Sequence, residues 1–487
     1  MTADVDRQAL ALAAGGMLID GRWAPARSGG ELRVEDPATQ ETLGAVPDAS
    51  PEDGVAALDA AVRAQRAWAA TAPRARSEIL HRGFEKMVEH RDQLARLITL
   101  ENGKPLAEAA GEITYASEFL RWFAEEAVRI DGRYTVAPDG RSRLLVTRQP
   151  VGPCLLITPW NFPAAMITRK VGAAIAAGCT MVAKPPSETP FTALALARLL
   201  EAAGLPAGVL NVITTSRSGE VVSRLMSDTR LRKISFTGST EVGRVLLRSA
   251  ADNILRSSME LGGNAPFLVF PDADLEAAVE GAMIAKMRNM GEACTSANRF
   301  YVAQPMAADF SERLADRMGA LRLGRGTEPE SQVGPLINEA GRTKVGDLVG
   351  DMVERGGRLL IGGERVQGAG YFYQPTVVTG VSPTSRALRE EIFGPVAPIV
   401  TFDDEDSALN WANDSEFGLV AYVYTRDLGR AVRVAERLEY GMVGVNTGLV
   451  SNPAAPFGGV KQSGIGREGG AEGIAEYLET KYVALGL

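Results

Sequence analysis

PCLLITPWNFPAAMITRKVGAAIAAGCTMVAKPPSETPFTALALARLLEAAGLPAGVLNVIT, residues 153–214, is the stretch whose reading decides the fold. Residues 153–159 form a short apolar strand, and a helix-like run follows over 162–177 until Gly178 stops it. Residues 180–184 read as the next strand, 192–203 as a second helix ended by Gly204, and 208–214 as a third strand. Working outward, 219–227 is a third helix and 233–237 a fourth strand. Strands alternating with helices at this spacing predict βαβ units and a parallel sheet covered on both faces. Such sheets bind ligands beyond the carboxyl ends of their strands, where backbone donors and helix N-termini converge.

On the N-terminal side, 51–130 reads as helical. Pro51, Glu52 and Asp53 open an Ala-rich amphipathic run, and apolar residues recur every three or four positions over 77–100. Residues 131–146 change character, with Gly and Arg punctuating short alternating pieces that predict an extended ribbon. A second α/β pattern begins near Leu261, with a helix over 275–288 introduced by Asp272 and Asp274. FGGVKQSGIGREGG at 457–470 reads as a structured loop, because apolar and charged residues interleave its glycines. A chain of 487 residues is too long for one core and predicts two or three domains.

The bulk composition excludes several functions. The net charge is −8 with both signs mixed along the chain and no basic tract, which argues against nucleic acid as a partner. The first twenty residues lack a basic start before an apolar run, and apolar stretches such as 171–183 are short and Gly-broken. Neither a secretory signal nor a membrane span is expected, which predicts a cytoplasmic protein. Three cysteines (154, 179 and 294) make no disulfide framework. Two histidines, His81 and His90, both in a charged helical stretch, leave no zinc cluster and no His-dependent triad. No metal is expected. Chemistry here falls to a thiol, carboxylates, amides or a bound cofactor.

Cys294 sits in NMGEACTSANR, after a helix end and among small residues. That setting suits either an exposed nucleophile or a small buried hydrophobe. Cys154 and Cys179 lie in apolar strands and read as core. Glu260 closes an apolar strand just before a Gly pair: a half-buried general base with a raised pKa, or a solvated strand end. Asn161 follows a strand and precedes a helix, as an oxyanion donor or a helix cap. Gly238 and Gly243 in FTGSTEVG mark a strand-to-helix turn where a pyrophosphate can approach the backbone, although a plain turn explains them too. Lys184 ends a strand and serves a ribose or phosphate, or water.

The ordered set PWNFP, KPPSETP, FTGSTEVG, MELGGNAP, GEAC, EEIFGPV and PFGGVKQSGIGREGG resembles the aldehyde dehydrogenase superfamily over nearly the whole chain. The resemblance implies Cys294 as nucleophile, Glu260 as general base, and Asn161 with the Cys294 backbone N–H as oxyanion donors. It implies cofactor contacts at Thr158, Trp160, Lys184, Ser187, Gly238, Ser239, Leu261, Glu391 and Phe393. The implied chemistry is thiolate addition to an aldehyde, loss of hydride to NAD(P), and hydrolysis of the resulting thioester by water activated at Glu260. A cofactor-independent thiol esterase and a non-catalytic scaffold are the rival readings. Both sit poorly with the joint presence of Cys294, Glu260, Asn161 and the FTGS and EEIFGPV segments.

NFPAAMITRK, KMRN and NTGLVSN are similar to succinate-semialdehyde dehydrogenases, which implies that Arg169, Arg288 and Ser451 hold a distal carboxylate. A structural ion pair is the alternative for either arginine. Glutarate semialdehyde or a broader aldehyde range is the alternative substrate. Ser296, two positions after the nucleophile, removes the second cysteine with which some relatives form a redox disulfide. Ser187 stands where many NAD-preferring relatives carry a glutamate, with Glu188 next to it, so NADP is favoured and NAD allowed. The implied fold is α/β: a doubly wound, parallel-sheet cofactor domain (1–131 and 151–260), an α/β catalytic domain (261–469) and a small β oligomerisation element (132–150 and 470–487). A homodimer or homotetramer follows from the same resemblance.

Overall fold

Ser50 accepts from Asp53 N–H while Asp53 reciprocates on Ser50 N–H, and Pro51 takes the first helical position, so the helix Pro51–Ala70 starts where the sequence says. The computed structural model describes residues 2–486. Three more helices follow, Pro73–Glu89, Arg91–Asn102 and Leu106–Glu126, accounting for the helical 51–130 region. Among the described residues no helix is long and apolar enough to cross a membrane.

The strands expected over 153–237 form the centre of an eight-stranded sheet. Its parallel part runs Leu210–Val212, Met181–Lys184, Cys154–Ile157, Lys233–Thr237, Arg256–Glu260. The chain builds outward from Cys154–Ile157, then returns to its other side with Lys233–Thr237. The order therefore reverses between these two strands, and loops leaving their carboxyl ends diverge there to open a crevice. Every residue of Cys154–Ile157, Met181–Lys184 and Lys233–Thr237 is buried, as helices on both faces demand.

The second sheet has seven strands and runs Arg358–Ile361, Thr376–Thr379, Val396–Phe402, Ala297–Ala303, Ala265–Val269, Val420–Tyr424, Met442–Val445; only the first is antiparallel. The ribbon appears as Arg133–Val136 and Ser142–Pro150, and Leu478–Gly486 joins it antiparallel to make a third, three-stranded sheet. The Gly-rich segment is indeed structured. Its Gly464–Ile465 strand pairs with Met259 and Glu260, and Ser463 O accepts from Leu261 N–H at 2.9 Å. That docking ties the end of the first sheet to the second unit.

Two local expectations are corrected. Cys179 is not in a strand; it lies in the link between the Gly178 helix stop and Met181–Lys184, buried all the same. The helix 275–288 ends one residue sooner, at Met287, because Arg288 enters a tight turn, Arg288–Gly291. Asn289 and Met290 there have φ of 50° and 54°, left-handed values that α-helical bonding cannot continue.

Candidate active site

The strand-end loops converge on two adjoining cavities, and the helices Leu106–Glu126 and Leu275–Met287 line much of a third. One, of about 280 Å³, is lined by Cys294, Asn161, Leu261, Glu391 and Phe393, with Trp160, Gly238 and Ser239. Trp160 and Gly238 also line a second, of about 410 Å³, whose wall carries Lys184, Ser187 and Thr158. A third, of about 470 Å³, lies on the Phe162 side of Asn161 and is lined by Arg288, Ser451, Tyr115 and Glu108.

Cys294 follows the Arg288–Gly291 turn and is partly buried, between the helix Leu275–Met287 and the strand Ala297–Ala303. Burial pushes its thiol up to about 12; Arg169 and Arg288 oppose that shift, while Glu391 and Glu260 add to it. The turn is laced to the Asn161 loop. Asn161 Nδ2 donates to Glu292 O at 3.1 Å, and Asn289 Nδ2 donates to both Asn161 O (3.0 Å) and Glu292 O (3.1 Å). Lys104 Nζ adds a bond to Asn161 O at 2.7 Å. Asn161 is not a helix cap: the helix Pro163–Ala177 has no side-chain cap bond, and Asn161 Oδ1 accepts from Phe162 N–H instead.

Glu260 departs from the half-buried expectation. It is 3% exposed, and its Oε2 has no hydrogen-bond partner. Burial raises its pKa well above the carboxylate range, nearby Glu468 pushes the same way, and Lys170, Arg169 and Arg467 pull against them. A buried carboxyl with an unused oxygen, close enough to influence the thiol, is placed to exchange a proton with a group that reaches it.

The second cavity has the donor set of a dinucleotide site. Ser239 caps the helix Thr240–Asp252 by accepting from Val242 N–H at 3.3 Å, so the helix N-terminus opens beside Gly238. Lys184 Nζ donates to Ser218 Oγ at 3.0 Å, and burial lowers its pKa to about 8. Ser187 Oγ donates to Glu188 Oε2 at 3.0 Å. In the first cavity, burial raises Glu391 to about 7, and the carboxylate accepts from Gly263 N–H at 3.1 Å. Phe393, at φ 56°, meets the Trp160 ring edge-on at 5.4 Å. These residues fit an elongated ligand carrying phosphates, a ribose and a flat ring.

Arg288 and Ser451 meet in the third cavity, Nη1 to Oγ at 3.3 Å, with the guanidinium over the Phe162 ring at 4.7 Å. Arg169 does not line that cavity, yet its charge acts on Cys294 and Glu260. At 2% exposure it lies behind the cavity walls, donating to Glu468 at 3.2 Å and Tyr115 Oη at 3.1 Å. Arg169 thus makes the ion pair of the alternative reading, while its buried Nε has no hydrogen-bond partner among the described residues. Lys170 bonds the same Glu468 at 2.5 Å, and the two cations hold that carboxyl below its usual pKa despite burial. Sequence reading missed Glu468, Lys344, Glu108 and Glu292. The only local signal was for Glu468, an acid among the glycines of 457–470.

The family model described as "Aldehyde dehydrogenase family" matches residues 23–483. A succinate-semialdehyde dehydrogenase of Paenarthrobacter nicotinovorans is 58% identical, covering 91% of this chain and 98% of its own. The NADP(+) succinate-semialdehyde dehydrogenase of Escherichia coli is 52% identical over 96% and 97%. A glutarate-semialdehyde dehydrogenase of Pseudomonas putida is 51% identical over 96% and 97%. A crystal structure described as an E. coli NADP-dependent enzyme superposes with a TM-score of 0.97 at 51% identity, covering 98% of this chain and 99% of that one. With the motif order, the crevice and these matches in agreement, the chain belongs to the aldehyde dehydrogenase family.

Proposed function

We propose that this protein oxidises succinate semialdehyde to the dicarboxylate with NADP+, and accepts NAD+ less well. The observation that carries the substrate is the Arg288–Ser451 pair in a cavity that Phe162 lines next to Asn161, with the Arg288 charge reaching Cys294. An aldehyde at the thiol leaves a short chain pointing towards a cation and a hydroxyl, which selects a terminal carboxylate. Arg169 adds positive charge from behind the wall. Glutarate semialdehyde is the second reading, favoured by the 51% identity to the glutarate-semialdehyde dehydrogenase and by the room in a 470 Å³ cavity.

In this reading Cys294 adds as thiolate to the aldehyde carbon, giving a thiohemiacetal. Asn161 Nδ2 turns from Glu292 O to the new oxyanion, with the Cys294 N–H as second donor. Lys184, Ser187, Thr158, Trp160, Gly238, Ser239, Leu261, Glu391 and Phe393 hold and orient NAD(P)+, which supplies the acceptor for hydrogen and its electron pair. Glu260, its pKa raised by burial, then takes the proton of the water that attacks the thioester. Ser187 places a neutral hydroxyl near Lys184, and this supports NADP; Glu188 beside it is the opposing feature.

Residues 1–131 with 151–260 are assigned to cofactor binding, 261–469 to catalysis, and 132–150 with 470–487 to association of identical chains as a dimer or tetramer. Tyr134, Val136, Tyr482 and Leu485, exposed on the third sheet, support that association. The test is NAD(P)H absorbance with a panel of four- and five-carbon semialdehydes and butanal, alongside Cys294→Ala. Product formation without NAD(P), or by Cys294→Ala at the native rate, refutes the mechanism. A higher kcat/KM with NAD+ overturns the cofactor assignment alone.

A further inference from the structure

The first turn of the helix Leu106–Glu126 presents Glu108 to the cavity that holds Arg288 and Ser451. Its Oε2 accepts from Asn289 N–H at 2.8 Å. Asn289 is the first of three consecutive left-handed residues, with φ of 50°, 54° and 78° at Asn289, Met290 and Gly291. Two of the three are not glycine, so the turn needs outside bonds to persist. This same turn carries Arg288 at its start and leads to Cys294 three residues after its end. The charged and titratable groups lining the cavity beside Glu108 are Lys104, Glu112, Arg288 and Tyr115. Lys104 and Glu112 close on one another at 2.6 Å, and Lys104 followed by Arg288 are the cations that act on Glu108 within the cavity. Burial raises the Glu108 pKa, and Asn289 N–H, Lys104 and Arg288 oppose the rise.

We propose that Glu108 is a positioning residue with a part in selectivity: its carboxylate fixes the turn bearing Arg288, and its charge offsets the pull of Arg288 on anions. The proposal rests on the reading that Arg288 receives the distal carboxylate. A cavity with an uncompensated arginine holds any small anion, the dicarboxylate product included. With Glu108 lining the same cavity, an anion gains only when its carboxylate reaches the arginine fork itself.

Glu108→Gln and Glu108→Ala separate the two roles, measured on the full enzyme with NADP+ at mildly alkaline pH. Glu108→Gln keeps an oxygen acceptor for Asn289 and removes the charge. Its KM for succinate semialdehyde falls roughly three- to tenfold, the effect of one partly screened charge, and inhibition by succinate tightens in parallel. Its KM for butanal stays put. Glu108→Ala also loses the acceptor, and kcat falls with both aldehydes by about tenfold or more as the Cys294 loop loosens. An unchanged anion KM in Glu108→Gln, or equal shifts for both aldehydes, overturns the charge role. A native kcat in Glu108→Ala overturns the positioning role. A wild-type enzyme indifferent between succinate semialdehyde and butanal sinks the carboxylate reading instead, while the kcat effect of Glu108→Ala is still read on either aldehyde.

Discussion

Arg288→Ala separates substrate recognition from structural support, because the two arginines near the thiol are held so differently. Arg288 makes one long bond, 3.3 Å to Ser451, and otherwise rests on the Phe162 and Tyr115 rings. Removing it breaks no direct ion pair among the described residues, and Glu108 keeps its bond from Asn289 N–H. A desolvated charge pair lost at a binding site costs about 2–5 kcal/mol. Arg288 is only partly buried, so the lower part of that range applies, about 2–3 kcal/mol, or a 30- to 150-fold fall in kcat/KM. The loss is confined to succinate semialdehyde; butanal changes less than about threefold, since it offers nothing for the guanidinium to bind. Arg288→Lys restores charge without the fork and recovers part of the loss. Arg169→Ala behaves otherwise. It breaks a buried pair with Glu468, nominally about 3–5 kcal/mol, and the second cation, Lys170, keeps the cost near the lower end. It therefore lowers thermal stability and slows both aldehydes together. Initial rates by NADPH absorbance, with melting curves alongside, read all three variants. Equal losses on both aldehydes in Arg288→Ala, or no loss on either, refute the assignment of the carboxylate to Arg288.

Lys184 has its pKa lowered by burial to about 8, so it is a cation below that pH and neutral above. The Kd for NADP+ therefore weakens as pH rises through 8, and Lys184→Met removes the slope; fluorescence titration that finds a flat wild-type profile contradicts this. Burial holds the Cys294 thiol near 12, so the thiolate fraction in the free enzyme climbs with pH throughout the working range. Iodoacetamide should inactivate faster at each higher pH without levelling off, and a plateau near neutrality excludes it. A Cβ at Gly458 would lie 2.8 Å from both Glu260 Oε1 and the backbone oxygen of Gly466, so the Glu260 carboxyl packs against bare backbone. Glu260→Gln removes the carboxylate without that crowding, and stopped-flow records show a burst of NADPH followed by a steady rate about tenfold or more below native; a proportional loss of burst and steady state argues that Glu260 acts elsewhere.

Local pattern made most of the first sheet legible. Pro153, Gly178, Gly204 and the apolar runs between them act within a few residues, so the strands and helices of 153–237 lie within two or three residues of their expected ends. The Arg288 turn was harder. KMRN continues a helical pattern, and the break comes from bonds to Glu108 and to the Asn161 loop, 181 and 128 residues away. A strand-end acid before glycines is usually wet, but the Gly-rich segment some two hundred residues on packs against Glu260, pairing Gly464 with its backbone and setting Gly458 against its carboxyl.

From its letters alone the chain determined which residue types are available for chemistry, the alternation of strand and helix, and a ligand site at the carboxyl ends of parallel strands, since these depend on composition and short-range periodicity; the strand order came with the tertiary structure. Only tertiary structure decided that Arg169 belongs to Glu468 while Arg288 faces a cavity, that the Cys294 thiol is raised by burial, and that Glu108 braces the turn between them. A charge has no fixed role until its neighbours and its dielectric surroundings are set. Arg169 and Glu468 stand 299 positions apart and meet only when both sheets are in place.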